Sequence, residues 1–136
     1  MNDIKSFFLS PFYWAKALQM IERGNDLEAF TLLNNMHVKY QDYKYYLLKS
    51  FLSLMLKEYE YSLTLMDKGL FIVKNNIKLN NDEKTYLTKY IYSLMFTAYR
   101  MIDKFDEAGE IDNKIKNLTF SVDNVSKKII QLFPQP

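Results

Sequence analysis

The chain has 136 residues, 49% of them hydrophobic and 16% aromatic, with a net charge of +2 and no cysteine. That length and apolar share predict one domain with a real core and exclude disorder over most of the chain. The weak, interspersed charge lacks the basic footprint that nucleic acid requires, and without cysteine there is no disulfide framework or thiolate metal site.

Taken in order, Met1 to Leu9 holds an apolar run too short for a signal-peptide core, and nowhere do about eighteen apolar residues follow one another. A cytoplasmic chain without membrane insertion is expected. Ser10-Pro11 predicts a helix start, with Ser10 capping the free amides and Pro11 in the first turn, where its missing N–H costs nothing. This helix should run to about Arg23. Lys16, Gln19 and Arg23 form a narrow polar stripe on it while Phe12, Tyr13, Trp14, Ala17, Leu18, Met20 and Ile21 cover most of the circumference, so it should be covered on two sides, by Ile4 to Leu9 or by a partner.

A second helix is expected from Asp26 to Met36, with His37 to Asp42 as the connection. The third, Tyr43 to Leu56, is almost wholly apolar, and the fourth starts near Glu58 and continues to Lys74. Asn80 and Glu83 have capping-box spacing and open a fifth helix that runs to Ile102, roughly 30 Å at 1.5 Å per residue. It should overhang its neighbours. The sixth spans Lys104 to Lys116 with Asp103 as its cap, and a closing helix over 122–133 places Val125, Ile129, Leu132 and Phe133 on one face.

Three windows share one grammar. Lys57-Glu58-Tyr59-Glu60-Tyr61-Ser62 superposes on Asp103-Lys104-Phe105-Asp106-Glu107-Ala108, an aromatic followed three positions later by a small residue. Gly24-Asn25-Asp26-Leu27-Glu28-Ala29 is a third copy with Asp26 in the aromatic's place. Ser62 follows Ala29 by 33 residues and Ala108 follows Ser62 by 46, so about a dozen residues have been added to the second unit. From about Pro11 to Asn117 the chain resembles the tetratricopeptide repeat family, whose units of about 34 residues are helical hairpins. The resemblance implies an all-α fold, a right-handed superhelical array of about three hairpins (about 11–37, 43–75 and 82–117) in one domain, closed by the C-terminal helix.

Catalysis finds little to use. Of the three glycines, Gly24 fits a turn, and Gly69 and Gly109 fit within or beside tight helix contacts, so none is left for a phosphate-cradling loop. His37 is the only histidine and has no metal-binding spacing around it. Asp103, Asp106, Glu107, Glu110 and Asp112 sit among lysines on what reads as a solvated face. Neither a metal nor a cofactor is called for. The aromatics Tyr59, Tyr92, Tyr99 and Phe105 are expected in the seams of the core.

Binding is what the resemblance implies. In the repeat register, Trp14, Leu18 and Ile21 of unit one, Leu47, Phe51, Leu54 and Met55 of unit two, and Tyr90, Ser93, Thr97 and Arg100 of unit three project into the concave groove. Two of these three sets are apolar, which suits a hydrophobic or amphipathic helical segment of another protein, with Met55 supplying adaptable contact. Such a chain would act without catalysis, similar to the tetratricopeptide chaperones of type III secretion. The alternative is an immunity or inhibitor protein that docks on a toxin's surface. Two further arrangements stay open, a homodimer and a groove filled by the chain's own N- or C-terminal segment.

Overall fold

The computed structural model describes residues 14–36 and 42–134, whose regular structure is all helical, with no strand among them. In chain order come α1 (14–22), α2 (Asp26–Asn34), α3 (Tyr43–Met55), α4 (Tyr59–Asn75), α5 (Asn81–Met101), α6 (Phe105–Asn117), a 3₁₀ turn (Val122–Asn124) and α7 (Lys127–Ile130). The segment Ile4 to Leu9, the Ser10-Pro11 start and His37 lie outside the described residues.

Three turns with the same geometry reverse the chain. Gly24, Lys57 and Asp103 have φ of 78°, 65° and 61°, the left-handed conformation that ends many helices. At each, two amides close back on the helix just finished. Gly24 N donates to Ile21 O and Asn25 N to Met20 O, at 3.0 and 2.8 Å. Lys57 N reaches Leu54 O (3.1 Å) and Glu58 N reaches Ser53 O (2.8 Å), while Asp103 N reaches Arg100 O (3.2 Å) and Lys104 N reaches Tyr99 O (2.8 Å). The next residue, Asn25, Glu58 or Lys104, opens the following helix without a side-chain cap. Asp103 is therefore not the cap expected of it: it is the left-handed residue that stops α5, a conformation Asp tolerates better than most.

Four positions on from that opening residue stand Ala29, Ser62 and Ala108, all buried. Ser62 Oγ donates to the Ser50 carbonyl at 2.8 Å, tying α4 to the backbone of α3. Gly69 continues the close approach, since a Cβ there would stand 2.9 Å from Leu47 Cδ1 and 3.6 Å from Ile91 Cδ1. Gly109 corrects the sequence reading: nothing lies within 4 Å of a Cβ placed on it.

Packing runs from α2 to α3, α3 to α4, α4 to α5 and α5 to α6, with α3 also touching α5. The buried core follows that line through Leu33, Leu48, Leu52, Met66, Leu87, Ile91 and Leu94. An internal cation helps to join α2, α3 and α4. Lys49, 8% exposed, donates to Tyr45 Oη at 3.0 Å, with the rings of Phe30, Tyr45 and Tyr61 at 5.5, 5.2 and 5.6 Å. Burial alone would lower its pKa, but the Tyr45 and Tyr61 hydroxyls outweigh burial and hold the ammonium above its ordinary value.

The residues added to unit two lengthen α4 and the start of α5, leaving only 76–80 between them. The capping box forms as expected, with Glu83 N donating to Asn80 Oδ1 (2.8 Å) and Asn80 N to Glu83 Oε1 (3.1 Å). The closing helix does not: 122–133 divides into the 3₁₀ turn and the four-residue α7, because Val125 between them is extended.

Candidate functional site

The expected groove residues fall into two kinds. Leu47, Phe51, Leu54 and Tyr90 are buried, whereas Trp14, Leu18, Ile21, Ser93 and Thr97 are half-buried and Met55 and Arg100 are exposed. The hydroxyls of Ser93 and Thr97 donate to carbonyls of their own helix, at 2.9 and 3.2 Å. Arg100 lies over the Phe96 ring, 5.6 Å from its centroid. A charge placed at Phe51 would thus enter the core, and Met55 and Arg100 are the positions where a substitution alters the surface.

What covers Tyr90 is the chain's own tail. Phe133 lies between two rings from different hairpins, edge-on to Trp14 of α1 at 5.9 Å and tilted against Tyr90 of α5 at 5.2 Å. Tyr90 Oη donates to the Pro134 carbonyl at 2.8 Å, and one turn earlier Tyr86 Oη donates to the Ile130 carbonyl at 3.3 Å. Burial, with a smaller contribution from Tyr86, pushes the Tyr90 phenol well above its ordinary pKa, so it stays a donor at any ordinary pH.

Further back the overhang of α5 holds the tail by polar bonds. Glu83, already engaged in the capping box, accepts Ser126 N on Oε2 at 3.1 Å. Asp82 accepts Ser121 N (3.3 Å) and Asn124 Nδ2 (2.7 Å), and Asn80 Nδ2 donates to the Asn124 carbonyl (2.7 Å). Phe120 meets Tyr86 edge-on at 5.5 Å. The start of α5, expected to overhang its neighbours, is a docking platform for the segment that follows α6.

A closing segment, and a groove filled by the chain's own C-terminal end, were open from the sequence; its landing place on Asp82, Glu83, Tyr86 and Tyr90 is what sequence reasoning missed. The signal was present as Tyr86 and Tyr90 one turn apart near the start of α5, with Tyr86 in the part of the helix that overhangs α3. Beside it, an open cavity of about 710 Å³ has Tyr43, Ile77 and Leu79 on one side and Ile129 and Leu132 of the tail on another. Asp42 contributes no free carboxylate oxygen pair to it, since its Oδ1 caps α3 by accepting Lys44 N and Tyr45 N. Burial first, then Asp42 and Glu83, push the Tyr43 phenol up to about 12.

Among the described residues no group of three or more His, Asp or Glu side chains is placed to hold a metal. No described helix is long and apolar enough to cross a membrane. Comparison with family models, with curated proteins and with solved structures finds no match to this chain.

Proposed function

We propose that the chain is a non-catalytic protein-binding array of tetratricopeptide-like hairpins that holds an apolar segment of a partner protein against α1, α3 and α5. One observation carries the reading: an apolar peptide segment, the chain's own, lies on α5 and reaches α1 through aromatic insertion and hydroxyl-to-carbonyl bonds. Bonds to backbone carbonyls make few demands on sequence, and the aromatic slot supplies selectivity. The repeated turns support the array, because one reversal used three times stacks successive hairpins in the same sense.

The test is partner capture from the native host, read by mass spectrometry, with wild type beside a Met55→Glu/Arg100→Glu variant. Both substitutions are at exposed positions, so circular dichroism should be unchanged while capture falls by more than about ten-fold. Glu110→Lys, on the exposed side of α6, should capture as wild type does. Equal capture by all three proteins would move the binding surface elsewhere and end this reading.

A further inference from the structure

Residues 121–134 bury only Val125, Ile129 and Phe133, each four positions after the last, while Ser121 to Asn124 and Ser126 to Lys128 remain exposed. The segment holds a single turn of α-helix, and its polar tethers to Asn80 and Asp82 are made between exposed groups. Segments with few buried side chains and solvent-exposed bonds open at the low end of a protein's range of local stabilities. Opening this one would uncover Trp14 and Tyr90, together with the two hydroxyls that now bond Ile130 and Pro134.

We infer that the tail is a built-in, displaceable occupant of the binding face, and that the partner segment replaces it with the same chemistry. The inference rests on the protein-binding reading above. The incoming segment carries two branched aliphatic residues and then an aromatic one at intervals of four, the spacing of Val125, Ile129 and Phe133. The aromatic enters the slot between Trp14 and Tyr90, and the segment's carbonyls accept from Tyr86 and Tyr90. Occupancy in cis keeps this apolar surface covered until such a segment arrives, and it lowers apparent affinity by the fraction of time the face is closed.

The experiment needs no knowledge of the partner. A labelled synthetic peptide of residues 121–136 is titrated into the full-length wild type, Phe133→Ala and Ser126→Pro. Ser126 has φ of −57°, which proline accepts, so that change removes the N–H held by Glu83 and the side-chain cap of α7 with little strain. Both variants should bind the peptide at least about ten-fold more tightly than wild type, which keeps its own tail seated. Emission from Trp14, the only tryptophan, should shift in the variants and return towards the wild-type spectrum as peptide fills the slot.

Variants that bind no tighter than wild type overturn the inference, as does equal binding of a peptide carrying Phe133→Ala. Should Phe133→Ala lose its helical signal, Ser126→Pro carries the test, and loss of fold in both would make the tail a fixed structural cap. Partner capture without peptide uptake counts against displacement alone. Peptide uptake without partner capture supports displacement and counts against a protein partner alone.

Discussion

The hairpins α3–α4 and α5–α6 share one turn and differ on their outer faces. An offset of 46 residues aligns Ser62 with Ala108 and Leu65 with Ile111, and these inner positions are buried in both. The outer face of α4 reads Tyr59, Leu63, Met66 and Leu70, and α4 packs on α5. The matching face of α6 reads Phe105, Gly109, Asp112 and Lys116, with the last two joined in a 2.9 Å ion pair. A second helix of a hairpin thus records in its sequence whether another hairpin follows. On α6 that face is polar, and Phe105, 59% exposed, is the one apolar residue among these four that does not conform.

Exchanging residues across the two faces should break this asymmetry. Met66 is 0% exposed, so Met66→Asp would bury a carboxylate in the core, at about 4 kcal/mol or more. Urea denaturation should show most of the domain's stability gone. The reciprocal Asp112→Met loses only an exposed ion pair and should stay within about 0.5 kcal/mol of wild type. A comparable cost for both would mean that α6 is covered in solution.

The aromatic pair sharpens the contrast on a smaller scale. Tyr59 is half-buried against the core, so Tyr59→Ala should cost about 1 to 2 kcal/mol, against under about 0.5 for Phe105→Ala. Midpoints in the same urea series decide it.

A small effect is also expected from the exchange of Lys49 for the residue at the matching place in α5, Met95, which is likewise buried. Lys49→Met keeps the length of the side chain and removes a charge whose desolvation the three rings and the Tyr45 and Tyr61 hydroxyls now offset. A change within about 1 kcal/mol is expected, whereas Lys49→Ala, which leaves a cavity among the rings, should cost about 2. The two melting curves would separate packing from charge.

Helical periodicity with cap chemistry located every helix from α2 to α6 to within about two residues, because each has one apolar face and a local stop signal. Asn80 and Glu83 were legible for the same reason: their bonds lie within four residues of sequence. Asp103 was misread since an acidic residue before a helix suits a cap, and only the amide bonds to Tyr99 and Arg100 show it ending the helix before. Phe105 was expected in a seam because its window matches that of Tyr59, yet burial depends on a neighbour that the window does not contain. The closing segment was expected to place Val125, Ile129, Leu132 and Phe133 on one face; Val125, Ile129 and Phe133 are buried and Leu132 is half-buried. Its extended break and its landing place depend on pairings with Glu83, Tyr86 and Tyr90 that no local rule reveals.

Those pairings also set an order of events during synthesis. Each hairpin closes over a turn of a few residues, but the bonds from the tail to α5 join groups 39 to 44 positions apart. At about 5 to 20 residues per second the ribosome delivers α5 some seconds before the segment that covers it. During that interval Tyr86, Tyr90 and Trp14 form an uncovered apolar strip on a nascent chain whose hairpins can already close, and the residues that shield it arrive only after α6 has been made.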